Sequence, residues 1–189
     1  MRRWIVFVML LTAMTSCGLP MSGEPHRIDP STVPYGLLAS QPATPSSPEA
    51  GPHVAIYLVD GDHLVARSRQ ITGLNVPAEA LRSLLLGPTP AESAQGLISD
   101  IPAQTRLFSL DLRGTVATVD LSSTFGAAGG SQQVLAIAQI VYTVTASRYI
   151  DAVRFSLSGR PIEVPNGTGS LAPGARSRAD FEREAPAGS

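Results

Sequence analysis

Residues 132–147 constrain the fold more than any other stretch of this chain. The run QQVLAIAQIVYTVTAS contains no charge, no glycine and no proline. On a helical wheel at ~100° per residue, Val134, Leu135, Ile137, Ala138, Ile140, Val141, Tyr142 and Val144 spread over roughly 220°, about twice the apolar stripe of an ordinary surface helix. Such a helix must be covered from more than one side, most simply by a sheet together with a second helix. Gln132, Gln139, Thr143 and Ser147 share the remaining arc. Ser131 offers an N-cap in front of it.

The sequence around this helix supplies the covering elements. Residues 54–59 (VAIYLV) are apolar on both faces, as in a strand buried on both sides. Asp60-Gly61-Asp62 is turn chemistry, and residues 64–71 return as a hairpin partner. Arg67 and Arg69 alternate with Ala66 and Ser68 there, a pattern expected at an exposed edge. Asn75 then caps a helix over 78–86, with Pro77 in its first turn and Leu81, Leu84 and Leu85 at helical spacing. Gly87-Pro88 stops it, and Thr89 with Pro90 starts one further helical turn. In residues 106–113, Phe108, Leu110 and Leu112 alternate with Ser109, Asp111 and Arg113. Gly114 turns the chain into residues 115–121. Residues 151–157 and 161–164 complete the strands. The predicted order is β-β-α-β-β-α-β-β, an α+β fold with two helices on one face of a mainly antiparallel sheet.

Upstream the texture differs. Arg2 and Arg3 precede ten apolar residues, 4–13, which are too few for a membrane span of about 20 and read as a cleaved export signal. Met14-Thr15-Ser16-Cys17 resembles the bacterial lipobox, with Met14 where Leu, Val or Ile is usual. The resemblance implies a diacylglyceryl thioether on Cys17, the only cysteine, which becomes an acylated, palmitate-type N-terminus after residues 1–16 are removed. Two acyl chains hold a protein stably on a membrane where one does not. Residues 17–52 then form the lipidated cysteine and a tether. Eight of the sixteen prolines fall here, so the segment is biased toward extended conformations and reaches roughly 100 Å at ~3.1 Å per residue. Its cluster Tyr35-Gly36-Leu37-Leu38 is a candidate docking spot. Residues 53–165 form the domain, and 166–189 a turn-rich tail with a short anchor at 178–181.

With these elements in order, the domain resembles the GerMN family of sporulation and spore-germination modules. The matching residues include Ile56-Tyr57-Leu58-Val59-Asp60, Leu84-Leu85-Leu86-Gly87-Pro88-Thr89, Ile101-Pro102, Val116-Ala117-Thr118-Val119-Asp120-Leu121-Ser122, Gln139-Ile140-Val141-Tyr142 and Gly159-Arg160-Pro161-Ile162-Glu163-Val164. The resemblance implies a non-catalytic envelope module similar in fold to ring-building modules of secretion-type assemblies. This chain has one copy where the germination protein has two, and no propeller of the kind that kinase-modulating lipoproteins carry.

Chemistry is sparse. His26, His53 and His63 fall in the tether, at the domain edge and at a hairpin turn, positions where nothing fixes them for a Ser-His-Asp or metal site. Asp60-Gly61-Asp62 offers too few oxygens for a cation cage. Asp120 reads as the cap of the Ser122-Ser123-Thr124 turn. Gly129, Gly130 and Ser131 lead into a helix N-terminus where an anion can sit, but without the lysine of a phosphate loop. No catalytic residue, metal or cofactor is expected. The formal charge of -1 becomes -3 once Arg2 and Arg3 leave, which gives no electrostatic footprint for nucleic acid. The expected partners are membrane lipid, through Cys17, and an envelope or membrane protein. The expected site is the extracytoplasmic face of the cell membrane, and the expected role is in envelope assembly, sporulation or germination, or as a sensor accessory. The alternative is a binding protein for a small ligand or cell-wall fragment.

Overall fold

The computed structural model describes residues 51–187. The leader, Met14, Thr15, Ser16, Cys17 and the tether up to residue 50 lie outside that span, as does the Tyr35 cluster.

The described residues begin with a hairpin of β1 (His53–Asp60) and β2 (His63–Gln70), joined by Gly61 and Asp62, with Asp60 opposite His63. Gly61 has φ +63°, the left-handed conformation that glycine adopts without cost. Helices α1 (Val76–Leu85) and α2 (Pro90–Ala94) follow. Asn75 caps α1 through Ala78 N–H at 3.3 Å, and Thr89 caps α2 in a capping box with Glu92. Then come β3 (Leu107–Arg113), β4 (Val116–Leu121), a 3-10 turn (Ser123–Ala127) and α3 (Gly130–Val144). The chain closes with β5 (Ala152–Leu157), β6 (Arg160–Ile162), β7 (Val164–Pro165), β8 (Leu171–Ala172) and a second 3-10 turn (Arg178–Phe181).

The α+β class holds, with three helices and antiparallel-rich sheets, but the strands form three sheets rather than one: β1-β2, β3-β4-β5-β6 and β7-β8. One pairing is parallel. The chain leaves β4, crosses through α3 and re-enters as β5 beside β4, with Val119 opposite Phe155. The hairpin stays separate because the outer edge of β1 is already satisfied. Thr143 Oγ1 accepts from Tyr57 N–H (3.1 Å), Gln139 Nε2 donates to Tyr57 O (2.9 Å), and Val59 exchanges two backbone hydrogen bonds with Ile98. Side chains of α3 take the place of a neighbouring strand.

The polar arc of the wheel is covered as well. Gln139 and Thr143 do not face water; they are 0% and 1% exposed, and every residue of α3 from Ala136 to Val144 is buried. The helix touches β1, β2, α1, β5, β7 and the closing 3-10 turn. Gln139 also accepts from Asp100 N–H at 2.9 Å, so one amide ties the hairpin to the connection before β3. The start of α3 differs as well. Gly129 is the N-cap, Gly130 begins the helix at φ +57°, and no side chain caps it, so Ser131 lies inside the first turn. The C-terminal end is capped by Arg178, which donates to Tyr142 O (3.0 Å) and Thr145 Oγ1 (2.9 Å) and lies 4.9 Å from the Tyr142 ring centroid.

Residues 166–187 are packed into the domain. Arg176 pairs with Val153 of β5, Leu64 N–H donates to Glu184 O, and Phe181 is fully buried in the core with Phe125 and Ile137. The short anchor expected at residues 178–181 is this 3-10 turn.

Candidate functional site

Two concave places stand out on the described surface. The first lies along β3, the edge strand of the four-stranded sheet. A bulge between Leu107 and Ser109 leaves Phe108 outside the regular register, and Phe108 and Leu112 are both exposed. Little covers the apolar side of this edge strand, so Phe108 and Leu112 stay exposed while Leu110 is half-buried. Beside β3 a groove of about 720 Å³ is walled by Leu74, Val76, Pro77, Leu110, Leu112 and Tyr149, and Asp111 is its only charged residue. Leu74 and Tyr149 are 105% and 69% exposed. Large apolar side chains grouped in this way mark a contact surface more than scattered ones do.

The second is a pocket of about 540 Å³ at the start of α3. Gly130 and Ser131 line it, together with Val134, Leu135, Pro165, Leu171, Asp62 and Glu184. Gly129 stands just before it as the N-cap. Of the residues singled out in the sequence, Gly130 and Ser131 thus line an open pocket to which the tail contributes Leu171 and Glu184.

The other candidate residues have structural partners. Asp120 does not cap the turn after β4. It accepts from Ser156 Oγ (2.8 Å) and from Gly159 N–H (2.9 Å), and so pins the β5-β6 hairpin. His53 Nδ1 lies 3.2 Å from Ser68 Oγ, and His63 Nδ1 lies 3.0 Å from Arg183 O. Asp60-Gly61-Asp62 is the hairpin turn. Among the described residues no three His, Cys, Asp or Glu side chains converge as a metal site would require. Arg69 is not a free edge arginine either. It makes a bidentate pair with Glu92 at 2.8 and 2.5 Å, joining β2 to α2, and this pair holds the Glu92 carboxyl down to about 2 from its usual 4.5, against the opposing effect of burial. No motif marks Arg69–Glu92, Gln139 or Glu184 in the sequence, because each acquires its partner from a distant segment.

The described residues thus form an α+β domain with a long buried crossover helix between β4 and β5 and an N-terminal hairpin that makes its own sheet. The chain belongs to the sporulation and spore germination family, Germane, whose model matches residues 55–163, more than half of its length. Among solved structures it is similar to the tandem GerMN domains of the sporulation protein GerM from Bacillus subtilis, with TM-score 0.56 and 22% identity, covering 68% of this chain and 47% of that one. It is similar to the first GerMN domain of the same protein alone, with TM-score 0.54 and 22% identity, covering 68% of this chain and 98% of that domain. The chain therefore spans about half the length of the tandem structure and nearly all of the single domain. Likeness at this identity speaks for the fold. No curated protein matches the chain.

Proposed function

We propose that this protein is an envelope lipoprotein, held by acylated Cys17 on the extracytoplasmic face of the cell membrane, whose single GerMN-type domain is a non-catalytic protein-interaction module. Its setting would be envelope assembly, sporulation or germination, or sensor accessory work. The observation that carries the reading is the exposed edge of β3 and the apolar groove beside it. Exposed apolar side chains next to unpaired strand backbone suit an extended segment of an envelope protein, which adds main-chain hydrogen bonds to the edge and lays alternate apolar side chains into the groove. The family match and the leader support the setting.

The test is site-specific photo-crosslinking in intact cells, with the reactive group at Leu112 and, as control, at exposed Gln95. The proposal expects one discrete adduct with an envelope protein from Leu112 that is lost with Leu74→Asp, and none from Gln95. No adduct from Leu112, or the same adducts from both positions, would overturn it.

A further inference from the structure

The edge of β3 carries charge as well as apolar side chains. Leu110 and Leu112 pair with Val119 and Ala117 of β4, both fully buried, so they lie on the core side of the sheet, which continues into the groove. Ser109, Asp111 and Arg113 alternate with them and lie on the opposite side, in register with Asp120, Thr118 and Val116. Asp111 stands at the centre of this regular stretch. It is exposed, Ser109 Oγ donates to its carboxylate at 2.7 Å, and among the described residues no cation pairs with it. Arg154, the cation in its own row, stands beyond Thr118, two strands or roughly 10 Å away. Arg113 ends the strand about 7 Å further along. Among the described residues, positions 109–113 make no backbone–backbone hydrogen bond outside the pairing with β4.

A strand added to this edge continues both rows. Residues opposite Leu110 and Leu112 enter the groove, and the residue opposite Asp111 stands beside its carboxylate, with about 5 Å between Cβ atoms. Opposite charges stabilise such a pair, and like charges destabilise it. This disfavours β3 of a second copy. In the two-fold register that overlaps the regular stretch fully, Ser109 faces Arg113 and Asp111 faces its own equivalent. Moving the axis to Leu110 or Leu112 leaves only about three regular residues paired, because the bulge at Phe108 and the turn at Gly114 interrupt the strand.

We propose that the β3 edge takes an extended segment of another protein in which a lysine or arginine opposite Asp111 lies between two apolar residues that fill the groove. This rests on the docking reading above and adds the chemistry of the partner: Asp111 is the only charge lining the groove, and it selects a basic residue.

The experiment follows the Leu110 and Leu112 amide signals of the full chain in detergent micelles during titration with two peptides, acetyl-Thr-Val-Lys-Val-Thr amide and acetyl-Thr-Val-Glu-Val-Thr amide. Both signals should shift saturably with the lysine peptide, which should bind about threefold or more tightly than the glutamate peptide. Asp111→Lys should reverse that order, and Asp111→Asn should bring the two affinities together; Asp111 is exposed, so both variants keep the fold. Equal affinities on the parent chain, or an unchanged order in Asp111→Lys, would overturn the proposal and leave edge docking standing. Shifts with neither peptide would overturn it as well, and the crosslink from Leu112 then decides separately whether the docking reading stands. A Leu112 adduct of twice the chain's mass would assign the edge to a second copy and likewise overturn it.

Discussion

Gln139→Leu tests whether α3 really serves as the missing neighbour of β1. The substitution keeps the side chain's approximate volume but removes the donor and the acceptor that it uses here. Tyr57 O, buried in the strand, loses the bond at 2.9 Å, and Asp100 N–H loses its acceptor at 2.9 Å. A buried backbone group left without a partner costs about 1–3 kcal/mol, whereas removing both members of a pair is nearly neutral. Only one member is removed here. Tyr57 O carries most of the penalty, because Asp100 is half-buried and water can reach its N–H. The added apolar surface of leucine offsets part of the loss, which leaves a net destabilisation of about 1–3 kcal/mol. For a domain of this size that corresponds to a fall in Tm of roughly 4–10 °C. Thermal unfolding of the full chain followed by circular dichroism measures it. Gln132→Leu is the control: Gln132 is exposed and donates only to Asp100 O at 3.2 Å, so its cost should stay within about 0.5 kcal/mol. Equal stabilities for Gln139→Leu and the parent would refute the edge-capping account of why β1 and β2 form their own sheet.

Two further outcomes follow from the charged groups. The carboxyl of Glu92 titrates near 2 in the folded chain against 4.5 ordinarily, so its stabilising contribution is complete above pH ~4.5 and disappears as pH falls toward 2. Glu92→Gln should lower stability at pH 7 and flatten its dependence on pH between about 4.5 and 2, as read by urea unfolding across that window; an unchanged slope would contradict the assignment. Arg178→Ala removes two hydrogen bonds at the C-terminus of α3 and the contact with Tyr142, and should cost about 1–3 kcal/mol by urea unfolding, with Arg178→Lys recovering part. A loss below about 0.5 kcal/mol would show that the closing turn does not brace the helix.

The strands and helices were legible because their signals are local. Asp60-Gly61-Asp62, Asn75 before Pro77 and Thr89 before Pro90 announce turns and caps within a few residues, and all three appear as expected. What escaped the sequence depends on partners far along the chain. Gln139 lies on the polar arc of its own helix, and only the arrival of Tyr57, 82 residues earlier, makes that arc an interior surface. Arg67 and Arg69 look like edge protection until Glu92 folds over the second of them. The division into three sheets was hidden for the same reason: alternation tells which face of a strand is apolar, and not which strand lies beside it. Gly129, Gly130 and Ser131 were visible as a helix start, but the pocket beside them is completed by Leu171 and Glu184, in a stretch that reads as tail.

The central claim is that Cys17 fixes this domain at the membrane, and replacing it with serine tests that claim most directly. Cells expressing the full chain or Cys17→Ser are fractionated, and the mass of each purified product is measured. The account predicts a membrane-bound parent that has lost residues 1–16 and gained acyl mass on Cys17, and a variant that is either released from the membrane or keeps its leader uncut. Membrane retention and leader removal both unchanged in Cys17→Ser would contradict it.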